Sequence, residues 1–208
     1  RGAQVIGADL REDIEPIDGV KLVLGPHPPG LLTSADLLVL SPGVPPKALN
    51  LQKVREAGVA IVGELGFAAS FVSAPILAIT GTNGKSTVTS FVAQLAEEAG
   101  LKVFAGGNLG NPLSNVVLAE ERFDLLVVEV SSYQMEYPGM FHPHVGVVLN
   151  LTPDHLARHG DMANYGRAKC RIFAEMTGSD VAVLPYENEE LRVAAHGTGG
   201  ERLWIGQH

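Results

Sequence analysis

Short apolar runs alternate with helix-like segments along the whole chain. In the first half, runs rich in Val, Ile and Leu predict strands buried on both faces, at residues 4–8, 20–24, 36–40 and 59–62. Between the last two runs, residues 47–57 have helical spacing, and Gly58 provides a C-terminal stop. Because strands and helices alternate, we predict an α/β fold with a mostly parallel sheet.

The alternation becomes more regular after Ser73, Ala74 and Pro75, which interrupt the first series. The second series predicts helices at residues 85–99, 112–119 and 163–176, and strands at residues 76–79, 103–105, 125–129, 145–149, 181–184 and 202–205. The interruption predicts a boundary between two domains, residues 1–73 and residues 74–208.

Composition narrows the class of protein. The chain has 208 residues, of which 46% are hydrophobic and 18% charged, so it has enough apolar content to build a core and is not disordered. The net charge is −8 and no basic cluster stands out, so we expect no nucleic-acid partner. Apolar stretches are interrupted within about 10 residues, short of the ~20 that a membrane span needs. The single cysteine, Cys170, excludes an internal disulfide and favours a reducing compartment, so we expect a cytoplasmic protein.

The most specific chemical signal is a Gly-Thr-Asn-Gly-Lys-Ser-Thr run between a predicted strand and a predicted helix. Glycines let backbone N–H groups converge on phosphate oxygens, and a helix N-terminus adds partial positive charge. We expect Lys85 to reach the β- and γ-phosphates of ATP, and Ser86 to contact Mg²⁺. The strict pattern has glycine where this chain has Ile79, so this is a shorter variant, and an ordinary glycine-rich turn is the alternative. The predicted ATP-binding residues are Gly81, Thr82, Asn83, Gly84, Lys85, Ser86 and Thr87.

Two further strand ends have polar residues suited to the same site. Glu129 ends one predicted strand, where a carboxylate would hold Mg²⁺ beside the phosphate loop. Asp154 and His155 follow another, at the edge where open α/β sheets bind ligands. The alternatives are a solvated turn acid and a surface-loop histidine. Cys170 is predicted to be a packed thiol, and the remaining histidines, without metal-ligand spacing, to be structural: His27, His142, His144, His159, His196 and His208.

Together these segments resemble the Mur ligases. The resemblance rests on the phosphate loop, Gly-Gly-Asn-Leu-Gly at 106–110, Glu-Val-Ser-Ser-Tyr-Gln at 129–134, Asn-Leu-Thr-Pro-Asp-His at 150–155 and Tyr-Gly-Arg-Ala-Lys at 165–169. Ser-Ser-Tyr-Gln and the Ser-Pro-Gly at 41–43 favour the members that add D-glutamate. Only the phosphate loop and the general layout are shared with folylpolyglutamate synthases.

The resemblance implies a fold and an activity. The first domain would be Rossmann-like and bind the UDP-substrate, and the second would be a P-loop-type, mostly parallel-sheet ATPase domain. ATP would phosphorylate the carboxylate of UDP-N-acetylmuramoyl-L-alanine, and the amine of D-glutamate would then attack the acyl phosphate, a step of peptidoglycan synthesis. We expect a monomer. The substrate carboxylate and the phosphate of ATP are both anions, so the site needs cations and precise positioning to bring them together.

The resemblance also implies residue roles. Lys85, His155 and Lys169 would be catalytic. Ser86 and Glu129 would hold one Mg²⁺ and His155 a second, with Lys169 present as a carbamate because a free ammonium would repel the metal. From the residues alone, a solvated helix lysine is the favoured interpretation of Lys169, and a loop salt bridge between Asp9 and Arg11 is the alternative to a binding role. The implied substrate contacts are uridine for Asp9 and Arg11, the diphosphate for Ser41 and Gly43, and the region near the substrate carboxylate for Asn108 and Ser131.

The chain departs from the family at both ends. Mur ligases have a strand and a glycine-rich loop upstream of the position of Arg1, and they continue past His208 with adenine contacts and an amino-acid-binding domain. We therefore expect a fragment that lacks its first strand and its C-terminal domain, binds nucleotide weakly and does not complete catalysis. The alternatives are a folylpolyglutamate-type ligase and a non-catalytic P-loop ATP-binding module.

Overall fold

A computed structural model describes residues 2–45, 49–108, 110–119 and 121–206. The predicted helix start at Lys47, and Leu109 of the 106–110 segment, lie outside the described residues. The chain divides into two compact units, Arg1–Leu38 with Pro46–Ala60, and Val39–Pro45 with Ile61–His208. The domain limits 1–73 and 74–208 stay a prediction.

The first unit contains two paired strands and one helix. Strand β1 (Val5–Asp9) runs parallel to β2 (Val20–Leu24), and helix α1 spans Leu51–Glu56. Strands β3 (Leu37–Leu40) and β4 (Ala60–Gly63) lie where the chain passes between the units. The expectation that these strands are buried on both faces is wrong for β1, where Val5 is 51% and Ile6 49% exposed, and for β3, where Leu37 is 41% and Val39 40% exposed. Among the described residues β1 pairs with β2 alone, so the predicted burial is not reached.

The second unit is built on a six-stranded sheet. Its strands and helices, in chain order, are α2 (Glu64–Ala69), β5 (Ile76–Thr80), α3 (Lys85–Glu98), β6 (Val103–Gly107), α4 (Ser114–Leu118), β7 (Leu125–Glu129), β8 (Val145–Val148), α5 (Leu156–His159), α6 (Met162–Cys170), β9 (Val181–Pro185), α7 (Glu189–Ala194) and β10 (Glu201–Ile205). The strand order is β10-β9-β8-β5-β7-β6, and all neighbouring strands are parallel. The predicted α/β fold with a mostly parallel sheet is confirmed.

The helices differ from the prediction in two ways. The helix predicted over 163–176 is shorter, because α6 ends at Cys170 and the chain tightens into a 3₁₀ turn, Arg171–Phe173, that buries Ile172 and Phe173 completely. Helices α2, α5 and α7 were not predicted. They have six, four and six residues, too few for a 3.6-residue pattern to repeat. Among the described residues, no helix is long and apolar enough to cross a membrane.

Apolar side chains cover both faces of the sheet. Ile79 and Val127 pack with Ala93 of α3 on one face, whereas Val128 and Val148 pack with Phe173 on the other. From β5 the chain moves to β6 and β7 on one side and then to β8, β9 and β10 on the other. Such a reversal leaves a crevice at the carboxyl ends of the central strands, where α/β sheets bind ligands.

Candidate active site

The loop after β5 turns the chain sharply into the N-terminus of α3. Gly81 and Gly84 have φ angles of 154° and 81°, values that side chains rarely allow. A Cβ at Gly81 would lie 3.1 Å from the Cβ of Leu149, so the loop also passes close to the end of β8. No described side chain caps the N-terminus of the 14-residue helix α3. Its first N–H groups and its dipole are therefore suited to an anion.

Asn150 and Thr152, which follow β8, form hydrogen bonds that hold this loop in place. The Oδ1 atom of Asn150 accepts hydrogen bonds from the backbone N–H groups of Thr82 (3.0 Å) and Asn83 (2.9 Å). Its Nδ2 atom donates to the carbonyl of Asn83 at 3.0 Å. The Oγ1 atom of Thr82 accepts from the N–H of Thr152 at 3.0 Å. The loop and the segment that leads to His155 are therefore joined by several hydrogen bonds.

A buried carboxylate lies beside the loop. Glu129 is 2% exposed, and its Oε2 atom is 2.6 Å from the Oγ of Ser86. Its Oε1 atom accepts from the Nδ2 of Asn108 at 2.6 Å. In the described part of the chain Glu129 forms no ion pair. A buried carboxylate with only neutral donors beside it, and a hydroxyl in contact, fits the oxygen-rich coordination of Mg²⁺.

Two lysines bind carbonyl groups of the same loop. The Nζ of Lys85 donates to the carbonyl of Thr82 at 2.9 Å, and the Nζ of Lys169 donates to the carbonyl of Gly81 at 2.7 Å. Lys169 is only 1% exposed, so it is not a solvated helix lysine. Burial, and then the positive charge of Lys85, lower the pKa of Lys169 to about 7. Near neutral pH a large fraction of this amine is therefore uncharged.

Aromatic and histidine rings surround the other side of Lys169. Its Nζ lies 4.6 Å from the ring centroid of Tyr165, which stacks on His159 at 5.2 Å. The Nε2 of His159 is 3.0 Å from the Oγ of Ser132, and burial lowers the pKa of this histidine. The ring centroids of Tyr165 and His155 are 6.3 Å apart. These contacts place Lys169 and His155 on the same small cluster.

Sequence reasoning missed part of this cluster. His159 was predicted to be structural, yet it contacts two of the aromatic rings of the candidate site. Its position four residues after His155, at the end of the short helix α5, was the available signal. Arg158 was also missed. Its guanidinium lies 4.4 Å from the ring centroid of Tyr133 and bonds both carboxylate oxygens of Glu136, which raises the pKa of Arg158.

The predicted substrate residues lie in separate places. The backbone N–H and Oγ of Ser131 both donate to the Oε1 of Gln134, at 2.8 and 2.9 Å, so Ser131 is held at the end of β7. Ser41 lies in a turn of the second unit, where its carbonyl accepts from Val44, with Gly43 in the same turn. Their predicted contacts with the UDP-substrate stay predictions.

Asp9 and Arg11 belong to the first unit. The N–H and Nη2 of Arg11 donate to the Asp9 carboxylate at 2.9 and 3.1 Å, and this hydrogen bonding lowers the pKa of Asp9. Both side chains are exposed to solvent. The pair is therefore the loop salt bridge of the alternative interpretation, and its role in binding uridine stays a prediction.

Comparison with known proteins identifies the family of the chain. Residues 79–206 match the family model of the Mur ligase middle domain. The chain belongs to the Mur ligase family. Residues 5–63 match a second Mur ligase model, the MurD-like N-terminal domain.

The Mur ligase relatives are longer than this chain. A UDP-N-acetylmuramoylalanine--D-glutamate ligase from Desulfatibacillum aliphaticivorans is 44% identical over 166 residues, which cover 80% of the chain and 37% of that relative. Among the curated relatives compared, the chain spans 35% to 47% of the relative's length.

Solved structures share the Mur ligase fold at lower identity. The UDP-N-acetylmuramate:L-alanyl-gamma-D-glutamyl-meso-diaminopimelate ligase from Neisseria meningitides has a TM-score of 0.59 and 16% identity, covering 98% of this chain and 70% of that one. The MurF ligase from Thermotoga maritima in complex with ADP has a TM-score of 0.54 and 18% identity, covering 83% of this chain and 50% of that one.

Proposed function

We propose that the full-length gene product is an ATP-dependent ligase that adds D-glutamate to UDP-N-acetylmuramoyl-L-alanine in peptidoglycan synthesis. The observation that carries the proposal is the buried Glu129 carboxylate in contact with Ser86 of the phosphate loop, with Lys169 bound to the same loop. The name of the Desulfatibacillum relative supports the choice of D-glutamate. A cytoplasmic monomer without a membrane or nucleic-acid partner completes the proposal.

We assign some residues of the site to the phosphates of ATP and others to the acyl group of the substrate. The loop N–H groups and Lys85 would bind the phosphates of ATP and stabilise the charge on the phosphoryl group as it moves to the substrate carboxylate. Ser86 and Glu129 would hold one Mg²⁺, and His155 a second. Bound Mg²⁺ would neutralise phosphate charge. D-Glutamate then displaces phosphate from the acyl phosphate.

Lys169 fits the proposed carbamate on two observations. A carbamate forms from a neutral amine and CO₂, and burial lowers the pKa of this lysine to about 7. The product is an anion, which Lys85, whose positive charge acts on Lys169, would stabilise. No group of three or more His, Cys, Asp or Glu side chains that could hold a metal occurs among the residues the structure describes. A carbamate would add an anionic oxygen ligand to those that Glu129 provides.

Ligation by the purified full-length gene product tests the proposal directly. With UDP-N-acetylmuramoyl-L-alanine and ATP, we expect phosphate release and product formation with D-glutamate, and not with other amino acids. Lys85→Ala should lower turnover about 10²- to 10³-fold, because a positive charge at the transferring phosphoryl group is lost. Lys102→Ala, an exposed lysine paired with Glu121, is the matched control and should keep wild-type turnover.

Other results would redirect the proposal. Ligation of glutamate to a folate in place of the UDP-substrate would indicate a folylpolyglutamate-type ligase. Nucleotide binding without hydrolysis or ligation would indicate a non-catalytic module. Wild-type turnover of a folded Lys85→Ala protein would remove Lys85 from the mechanism.

Asp9→Ala tests the proposed uridine contact. A contact made equally in the ground and transition states affects KM alone, so we expect a higher KM for the UDP-substrate and an unchanged KM for ATP. Asp18→Ala, another exposed acid of the first unit, should change neither. An equal rise in both KM values would assign Asp9 a general structural role.

A further inference from the structure

The side chain of Asn150 contacts three consecutive peptide groups of the phosphate loop. Its Oδ1 atom accepts from the backbone N–H groups of Thr82 and Asn83, at 3.0 and 2.9 Å, and its Nδ2 atom donates to the carbonyl of Asn83 at 3.0 Å. Two donors and one acceptor of the loop therefore face a single carboxamide. These partners identify which end of the carboxamide is the oxygen, and both ends are in use.

These contacts determine how each of the three peptide groups is oriented. All described peptide bonds are trans, and in a planar trans peptide the N–H and the C=O point in opposite directions. Asn150 binds the N–H side of the first two peptide groups, so the carbonyls of Gly81 and Thr82 point away from it. Asn150 binds the C=O side of the third peptide group, so the N–H of Gly84 also points away from it.

The two carbonyls that point away from Asn150 bind the two lysines of the site. The carbonyl of Gly81 accepts from the Nζ of Lys169 at 2.7 Å, and the carbonyl of Thr82 accepts from the Nζ of Lys85 at 2.9 Å. Each of these peptide groups is therefore held on both sides, by Asn150 and by one lysine. A peptide group that turned over would withdraw its carbonyl from that lysine.

The N–H of Gly84 is available for an anion. Among the described residues this group has no hydrogen-bond acceptor, and the first N–H groups of α3, which lack intrahelical partners, follow it directly. The N–H groups of Thr82 and Asn83 are instead bound to Asn150. Phosphate oxygens would therefore meet the N–H groups of residues 84–87, at the positive end of the helix dipole.

We propose that Asn150 is a positioning residue that gives the loop its phosphate-binding shape before nucleotide arrives. Its carboxamide directs two loop carbonyls to Lys85 and Lys169 and leaves the N–H of Gly84 for phosphate. Two glycines allow the loop many conformations, and ordering such a loop only on binding would weaken affinity. The catalytic importance of the two lysines rests on the proposed function, whereas the shape of the loop depends only on the contacts of Asn150.

Amide hydrogen exchange of the nucleotide-free full-length gene product, resolved residue by residue, tests the shape of the loop. We expect slow exchange of the Asn83 N–H in the wild type. In Asn150→Ala this exchange should be at least about tenfold faster, since one hydrogen bond that opposes opening is lost. Addition of ADP to the wild type should slow exchange at residues 84–87. Rapid exchange of Asn83 in the nucleotide-free wild type would overturn the inference.

Two further variants sharpen the exchange measurement. Asn164→Ala removes an exposed carboxamide of α6 that bonds Asp161 and Arg167, and it should keep the wild-type exchange pattern. Asn150→Asp keeps an oxygen for the N–H of Asn83 but loses the Nδ2 donor, so this N–H should stay slow. Exchange at Asn83 as fast as in Asn150→Ala would contradict the role assigned to Oδ1.

Calorimetric titration with ADP in metal-free buffer tests phosphate binding. We expect Asn150→Ala to raise the Kd for ADP about tenfold, because part of the binding free energy must then order the loop. In ligation assays the KM for ATP should rise by a similar factor and kcat should fall, while the KM for the UDP-substrate stays unchanged. A merely structural asparagine would change the amount of folded protein and leave the Kd of that protein unaltered. An unchanged Kd for ADP would therefore disprove the inference.

The inference and the proposed function fail in different ways. Ligation of D-glutamate by the wild type, together with the same Kd for ADP in the wild type and Asn150→Ala, would leave the function and remove the inference. Faster exchange and weaker ADP binding in Asn150→Ala, without any ligation by the wild type, would leave the positioning role and remove the function.

Discussion

Two buried carboxylates of the second unit, Glu129 and Asp180, have different surroundings. Glu129 lies at the carboxyl end of a strand and Asp180 at the amino end of another. Glu129 ends β7, and Asp180 directly precedes β9; each is 2% exposed. The Oδ2 of Asp180 lies 2.7 Å from the Nε2 of His142 and accepts from the N–H and Oγ1 of Thr177 at 2.7 and 3.0 Å. Each oxygen of Glu129 accepts from one neutral side chain only, Ser86 or Asn108.

The difference separates a structural carboxylate from one suited to binding. The backbone N–H of Thr177 cannot rotate away from Asp180, so this hydrogen bond persists as long as the chain is folded. Burial raises the pKa of Asp180, but hydrogen bonds from His142 and Thr177 outweigh this effect and leave the pKa below its usual value. A hydroxyl and an amide can rotate, so Glu129 can exchange their hydrogen bonds for a cation. Burial alone therefore does not distinguish the two roles, whereas the kind of donor does.

Glu129→Gln should have the largest effect on turnover. The amide keeps the size of the side chain but loses the negative charge proposed to hold Mg²⁺. We expect ligation by the full-length protein to fall about 10²- to 10³-fold, while the free energy of unfolding changes by less than about 1 kcal/mol. Steady-state ligation and urea unfolding measure the two quantities. A stability loss as large as that of Asp180→Asn would remove the contrast between the carboxylates.

Asp180→Asn should show the reverse result. We expect a loss of about 2 kcal/mol in the free energy of unfolding at pH 7, since a charge-assisted hydrogen-bond cluster is broken, and little change in turnover of the folded protein. The pKa of Asp180 is lowered on folding, so its contribution is present above the usual value of 3.8 and is lost as pH falls through the folded pKa. The stability difference from wild type should therefore shrink below about pH 4. A difference that is constant with pH would contradict this assignment.

Lys169→Met tests a third buried charged residue of the second unit, which lies on α6. The pKa of Lys169 falls from 10.5 unfolded to about 7 folded, so between these values the unfolded chain holds the extra proton. Wild-type stability should then rise with pH in that window, by up to about 1.4 kcal/mol per pH unit. The methionine variant lacks this dependence. Urea unfolding at several pH values in CO₂-depleted buffer should give curves that converge above pH 7, and parallel curves would exclude a lowered pKa.

The local parts of the site could be predicted from sequence. The phosphate loop was found because glycines, lysine and serine are consecutive and lie between a strand and a helix. Glu129 and His155 were found because parallel strands end at the same edge of a sheet. These signals need only neighbours in the chain and the rule that α/β sheets bind ligands at that edge.

The remaining parts depend on distant contacts. The sequence around Lys169 predicts an exposed helix lysine. In the structure, this side chain is buried because α6 packs against the loop around Gly81. The hydrogen bonds that Asn150 accepts from the loop join residues 67 and 68 positions apart. The exposure of Val5 and Ile6 was missed because an apolar run does not show how many strands will pair beside it, or what will cover its two faces. Four-residue α5, which presents His159, is too short to show a period.

The backbone of His155 has a consequence for protein engineering. Its φ angle is 53°, a left-handed conformation that glycine adopts freely and that costs most other residues about 1 kcal/mol or more. His155→Gly would relieve that strain, and a library selected only for heat resistance would enrich this substitution. Such a selection would discard the imidazole that we propose for Mg²⁺ binding, and the more stable protein would lose the proposed ligase activity. Thermostabilisation of this protein should therefore be screened for activity in every round.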